Sequence, residues 1–222
     1  MQGIQSWFEF VSNHWSGSDG ILERILQHTQ ITVLVIVLGT VFSVALGIFI
    51  QRRPTLRAGV LSVTGIFLTI PSLALFAIFI PVVGTGNTAA EIALFMYALL
   101  PIVRNTVTGL DEVSPAVVES AQGMGMGQFR QLTQVRLPLA WPVIMAGIRV
   151  STLMVVGIAA IAVLVGGNGL GSFIQSGLTR MGFPNSMESV WTGTIFTILL
   201  GLFLDLVLSI IQRFSTSRGL RA

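Results

Sequence analysis

The sequence contains no cysteine and no lysine, one tyrosine and two histidines, and Asp, Glu, Lys and Arg together make up only 9% of its 222 residues. Each shortage excludes something. Without cysteine there is no disulfide, thiol nucleophile or Cys-zinc site. Without lysine there is no P-loop, because G-x-x-x-x-G-K-[ST] needs its Lys at the phosphates. His14 and His28 lie near the N-terminus and form no H-E-x-x-H pair. A soluble domain carries roughly 25% charged residues. A water-facing surface cannot be built from this composition, so neither a soluble enzyme nor a disordered chain fits it. The net charge of +3 is too small to argue for nucleic acid as a partner. In a membrane protein the same excess sets orientation.

What the sequence does have is apolar length: 53% of residues are hydrophobic. A crossing needs about 20 largely apolar residues. Five segments qualify: 29–50, 58–82, 89–108, 142–165 and 190–212. The expected fold is an all-α integral membrane protein with about five transmembrane helices, forming one transmembrane domain over 29–212. Arginine placement orients it. Arg52, Arg53 and Arg57 follow the first crossing, Arg130 and Arg136 the third, and Arg213, Arg218 and Arg221 the fifth. These eight fall on one side, and only Arg24 and Arg180 on the other. The positive-inside rule then puts the N-terminus outside and the tail, 213–222, in the cytoplasm.

Residues 1–28 lack the basic start and small-residue cleavage site of a signal peptide. Ile4, Trp7, Phe8, Val11 and Trp15 recur at helical spacing until Ser16–Gly20 breaks the pattern. A short extracytoplasmic amphipathic helix at the headgroup level is expected. No internal repeat is visible. A single copy of five crossings reads as half of an assembly that a second subunit completes, unlike transporters built from duplicated halves.

Within the crossings, Gly39, Ser43 and Gly47, and again Gly193, Thr197, Gly201, Asp205 and Ser209, put small residues on one helix face. Such faces let helices approach closely, inside the subunit or at an interface. Pro71, Pro81 and Pro101 predict kinks or breaks. Breaks are tolerated only against protein or a wet cavity, so Pro71 and Ser72 point to a translocation path. Tyr97 sits mid-crossing, where it packs or touches a passing cation. Arg149 and Asp205 are intramembrane charges, either a structural ion pair or part of a gate. Glu91 and Arg104 lie near span ends and can snorkel. Gly166–Ser189 forms a long outer loop. Its Gly167, Asn168, Gly169 and Gly171 read either as an outer gate or as a flexible turn.

The strongest signal is the loop 109–141 between the third and fourth crossings. Ser114-Pro115 reads as an N-cap followed by Pro at the first helical position. A helix can then run to Gln122. Gly123-Met124-Gly125-Met126-Gly127 makes a tight turn. A second helical stretch over 128–136 ends at Leu137-Pro138. Its Phe129, Leu132 and Val135 face an apolar surface, while Arg130 and Arg136 stay solvated.

Glu119-Ser120-Ala121, three residues, Gly125, nine residues, Val135, one residue, then Leu137-Pro138 resembles the E-A-A-x3-G-x9-I-x-L-P loop of ABC importer permeases. Ser120 and Val135 are mild departures from that pattern. The resemblance runs from the first crossing to the C-terminus. The stretches 69–73, 99–106, 144–149 and 166–171 are most similar to the osmoprotectant branch, which imports glycine betaine, carnitine or choline. Methionine-type permeases are the runner-up. The resemblance implies a non-enzymatic subunit of the inner, or plasma, membrane, with no cofactor of its own. ATP and magnesium would belong to two cytoplasmic ATPase subunits. A second permease subunit, identical or homologous, would complete the pathway, and an extracytoplasmic binding protein would deliver solute. Glu119, Ala121 and Gly125 would belong to the coupling element. Ser120, Met124, Met126, Phe129, Arg130, Leu137 and Pro138 join them as ATPase-contact candidates. A self-sufficient channel or secondary transporter, or a membrane scaffold, are the readings from other classes.

Overall fold

A computed structural model describes residues 2–216. Residues 217–222, with Arg218 and Arg221, lie outside the described residues. The described chain is helical throughout, with no strand among the described residues. Helix α1 (Gln2–Asn13) precedes α2 (Ile21–Ile50), α3 (Pro54–Thr69), α4 (Ser72–Val83), α5 (Asn87–Asp111) and α6 (Pro115–Gly123). There follow α7 (Gln128–Gln131), a π turn (Leu132–Arg136), α8 (Leu137–Ala159), α9 (Gly171–Thr179) and α10 (Ser186–Ser215). Four helices are long and apolar enough to cross a membrane, or five spans if the bent α3–α4 pair counts as one.

Helix α5 is the centre. Its Ala93, Leu94, Ala98, Ile102 and Val103 are fully buried. Glycine on its neighbours explains how closely they approach. A Cβ on Gly47 of α2 would lie 2.6 Å from the Thr106 side chain, and one on Gly147 of α8 would lie 2.8 Å from the Pro101 carbonyl. The small-residue face of α2 therefore packs inside the subunit. The outside carries large exposed apolar side chains, such as Val37, Val41 and Phe42 on α2 and Leu202, Phe203 and Leu206 on α10. An apolar exterior over a packed interior is what a lipid-facing bundle requires.

Two bounds read from the sequence are corrected, and one break that it predicts is found. The first crossing begins at Ile21, not 29. Its polar start is self-satisfied: Gln27 donates to Glu23 at 2.9 Å, and Arg24 donates to Gln27 at 3.1 Å and Asp19 at 2.6 Å. Over 58–82, α3 and α4 meet at 99°, the break expected at Pro71. Proline pushes the residue before it toward extended backbone, and Ile70 has ψ 130°. Pro81 and Pro101 stay within continuous helices. The helix of the fourth crossing, α8, begins at Leu137 and ends at Ala159, not 142 and 165. Leu137-Pro138 does not stop the preceding helix. A π turn intervenes, in which Leu137 donates to the Leu132 carbonyl five residues back. Pro138 then falls in the first turn of α8, where a missing N–H is tolerated.

At the N-terminus, α1 forms as its spacing predicts and docks on the bundle. The Trp7 indole donates to Thr192 Oγ1 at 3.0 Å, and buried Phe10 packs with Ile21 and Phe173. The segment after α8 is more ordered than its glycines suggest. It holds a short 3-10 turn (Ala162–Val165) and then α9. A Cβ on Gly171 would stand 1.8 Å from the Ala160 carbonyl oxygen. Gly171→Ala should therefore lower the melting temperature of the purified protein by several degrees, as overpacking against backbone costs about 1–3 kcal/mol. Gly157→Ala on α8, with nothing within 4 Å, should leave it unchanged. Equal melting of both variants would refute the close approach.

Candidate functional site

Two opposite ends of the bundle, one internal break and one ion pair between α8 and α10 hold the residues singled out in the sequence. At the first end, the close of α2, α5 and α10 meets the start of α3 and α8. Arg57 pairs with Asp111, Arg136 reaches Gln51, and the Trp141 indole donates to Ser215 Oγ at 2.6 Å. From this end projects the arm formed by α6 and α7. Ser114 does precede its first helix with Pro115 next, but the Ser114 hydroxyl makes no capping bond; the carbonyl accepts from Val117 and Val118 instead.

Helix α6 ends in a paired closure. Met126 N–H donates to the Ala121 carbonyl at 3.1 Å, and Gly125 N–H to the Gln122 carbonyl at 2.9 Å. This pair of bonds is the Schellman ending, which needs a left-handed residue just past the helix. Gly125 supplies it, with φ +78°. The motif glycine is thus explained by backbone geometry. Gln131 locks the turn from the other side, donating through Nε2 to the Met126 carbonyl at 2.6 Å.

The arm's outer surface is unusual for an isolated chain. Met124 is 70% and Phe129 79% exposed, and Val117, Glu119, Ser120 and Arg130 are exposed beside them. Ala121 is buried against the rest of the arm. The described residues leave Phe129 open, so they do not supply the apolar surface expected to cover it. Arg136 is corrected: it is buried, not solvated. The π turn swings it toward α2 and α5. No helical-wheel count could place it, because the wide turn breaks the 3.6-residue period.

The internal break brings together three of the five path candidates. With Pro71 unable to continue the helix, the Ile70 carbonyl is left free, and the Tyr97 hydroxyl donates to it at 2.5 Å. Pro71 and Ser72 start α4 on the far side of this bond. Arg149 and Asp205 stand elsewhere, joining α8 to α10. Arg149 Nε and Nη2 donate to the two carboxylate oxygens at 2.7 and 2.8 Å. This bidentate pair satisfies both charges within the chain.

At the opposite end, the glycine segment is pinned from several sides. Asn168 N–H donates to Asn87 Oδ1 at 2.8 Å, Gly167 N–H to the Ala162 carbonyl at 3.0 Å, and Gly86 N–H to the Val165 carbonyl at 2.9 Å. Gly169 has φ +133°. His28, which sequence spacing does not mark, is buried beneath. Its Nδ1 accepts from Leu170 N–H at 3.3 Å and its Nε2 lies 3.0 Å from the Val156 carbonyl. The accepting Nδ1 leaves the proton on Nε2, which donates to Val156. Arg24 and Arg180, the two arginines of the sparse side, line one cavity of about 500 Å3 with His14, Asp19 and Ser176. Among the described residues, no cluster of His, Asp and Glu could hold a metal ion.

Known proteins share this architecture. A family model described as "binding-protein-dependent transport system inner membrane component" matches residues 25–216. The glycine betaine/carnitine/choline transport system permease protein OpuCB of Bacillus subtilis (strain 168) is 38% identical over 201 residues, 90% of this chain and 91% of the relative. The osmoprotectant import permease protein OsmW of Salmonella typhimurium (strain LT2) is 37% identical over 200 residues, 88% of this chain and 91% of the relative. Among solved structures, a chain of the MetNI methionine ABC transporter in an inward-facing form superposes with a TM-score of 0.77 at 23% identity. The match covers 89% of this chain and 96% of that one.

Proposed function

The chain belongs to the family of binding-protein-dependent transport inner-membrane components, and from that premise we propose that it is the permease subunit for ATP-driven uptake of a quaternary ammonium osmoprotectant. The observation that supports the reading most is the exposed α6–α7 arm. A charged and aromatic surface held rigid by a glycine-terminated helix, on which the described residues leave Met124 and Phe129 largely exposed, suits a grip for a separate subunit. An arm of this kind has no use in a self-sufficient channel.

The arm faces the cytoplasm in this reading, and one of two ATPase subunits seats on Glu119, Ser120, Met124, Gly125, Met126, Phe129 and Arg130, with Ala121 packed behind them. Leu137 and Pro138 join the arm to α8. ATP-driven closure displaces the arm, and α5 and α8, attached at its two ends, rock with it between two states. A second permease subunit completes the pathway, which passes the break at Pro71, Ser72 and Tyr97. The end that carries Arg24, Arg180 and the segment Gly167, Asn168, Gly169 and Gly171 faces the extracytoplasmic binding protein.

Solute choice follows the relatives. OpuCB and OsmW carry glycine betaine, carnitine, choline or osmoprotectant in their names, whereas the methionine transporter shares the fold at lower identity. Quaternary ammonium groups are held by aromatic cages. Tyr97, the only tyrosine, is buried and bonded to Ile70, so selectivity is assigned to the binding protein.

The test is reconstitution in liposomes with the ATPase and the binding protein. ATP-dependent accumulation of labelled glycine betaine or choline is expected, with none from the permease alone. Gradient-driven flux through the permease alone would favour a channel or secondary transporter. ATP-driven uptake of methionine but not betaine would favour the amino-acid reading. No transport with all partners present would favour a scaffold.

A further inference from the structure

The π turn and Arg136 form a second feature of the arm, and it lies at the arm's root. Arg136 is 9% exposed. Its Nη2 donates to Gln51 Oε1 at 2.6 Å and to the Leu110 carbonyl at 3.2 Å. Gln51 is the residue that closes α2, and Leu110 lies in the last turn of α5. One guanidinium therefore joins three elements at one point: the end of α2, the end of α5 and the start of the fourth crossing.

The arrangement is not what stability alone would select. Both acceptors are uncharged; Asp111, the carboxylate next to Leu110, is bonded to Arg57 and reaches Arg136 only through its field, against that of Arg52. A buried guanidinium bonded only to neutral groups is costly, and apolar replacements for buried charges are often neutral or stabilising. What the arginine adds is directional. The last four carbonyls of a helix lack intrahelical partners, and a cation at that end also meets the negative end of the helix dipole. Arg136 caps α5 from across the arm, so α5 cannot shift against the π turn without breaking this bond.

The π turn is what makes the reach possible. Its hydrogen bond spans five residues instead of four, and π turns concentrate at functional sites because the strained register is kept only where it is used. The surrounding packing reinforces the junction. A Cβ on Gly109 would lie 2.9 Å from the Ala140 carbonyl, so α5 and α8 already touch backbone to backbone one helical turn beyond Arg136.

We infer that Arg136 is a positioning residue for energy coupling: with Gln51 and Leu110 it locks the root of the arm to α2 and α5, so that arm movement turns three helices as one body. The inference rests on the reading of the arm as the ATPase grip. Without the lock, ATP would still be hydrolysed and the arm would still move, but the motion would be lost in sliding at its root.

The experiment uses the full transporter in liposomes and measures solute imported per ATP hydrolysed. Arg136→Gln should co-purify with the ATPase and hydrolyse ATP, yet import about tenfold less solute per ATP. Arg136→Lys, which keeps one donor, should recover part of the loss. Gln51→Leu, which leaves the arginine in place and guards against a variant that fails to fold, should lower the ratio severalfold. Arg136→Gln combined with Gln51→Leu should be no worse than the worse single variant, because the bond that Gln51→Leu removes is already lost in Arg136→Gln. A normal ratio in Arg136→Gln or Gln51→Leu, or losses that multiply, would overturn the lock. Gly125→Pro measured alongside separates the two ideas. If it abolishes uptake while Arg136→Gln and Gln51→Leu keep the normal ratio, only the lock fails; if Gly125→Pro itself transports normally, the arm reading fails.

Discussion

Gly125→Pro should reduce ATP-driven uptake by at least about tenfold, a change of about 1.4 kcal/mol or more in the coupled step, while membrane insertion stays intact. The residue has φ +78°, and proline locks φ near −65°. The substitution also removes the N–H that donates to the Gln122 carbonyl. Helix α6 then cannot end where it does, and Met124 and Met126 leave their places. Space is not the issue, since a Cβ at this position meets nothing within 4 Å. Gly125→Ala consequently tests the backbone alone. A left-handed alanine costs about 1–2 kcal/mol, so a milder loss of uptake is expected. Uptake of labelled solute by vesicles containing the assembled transporter, normalised to inserted protein, is the measurement. Undiminished uptake in Gly125→Pro would mean that the closure of α6 has no part in transport.

The second large effect is expected at Asp205. Removing it by Asp205→Ala leaves the Arg149 guanidinium between α8 and α10 with neither of its two carboxylate bonds. Breaking a buried pair from one side costs about 3–5 kcal/mol. These side chains are 35% and 23% exposed, so about 2–3 kcal/mol is the reasonable figure here. In a bilayer the stranded charge has no water to recover. Poor expression and a lower melting temperature in detergent should follow. Replacing both partners, Arg149→Met with Asp205→Leu, should restore stability, because it removes the charge together with its counter-ion. If the double variant is stable and transports, the pair is structural. If it is stable and inactive, the pair takes part in gating. A double variant as unstable as Asp205→Ala would show that the pair's geometry, and not its charge balance, holds α8 to α10.

How much of this was legible in the sequence depended on the range of the interaction. The apolar runs, the helical identity of every crossing and the grouping of arginines at one end of the bundle are local or additive properties. They could be read from composition and spacing. The α6–α7 arm was legible because its determinants are neighbours: Pro115 starts the helix and Gly125 ends it within a dozen residues. The amphipathic spacing of Trp7 and Phe8 likewise announced α1.

Proline was ambiguous for a physical reason. Pro71 breaks its crossing by 99°, whereas Pro81, Pro101 and Pro142 remain inside helices. The residue is the same in each case. What differs is whether the surroundings stabilise the open form, and at Pro71 the Tyr97 hydroxyl takes the free carbonyl from 27 residues away.

By itself, then, the sequence determined that this chain is a helical membrane bundle with an arm between the long apolar helices α5 and α8, because burial pattern and turn chemistry act within a few residues. Only the tertiary structure decided which charges pair, that Arg136 turns inward, that His28 lies beneath the glycine segment and that the segment itself is pinned. Those outcomes depend on groups far apart in the chain meeting in a dry interior, where an unpaired donor or charge is too costly to leave, and no spacing along the sequence records which partner will be there.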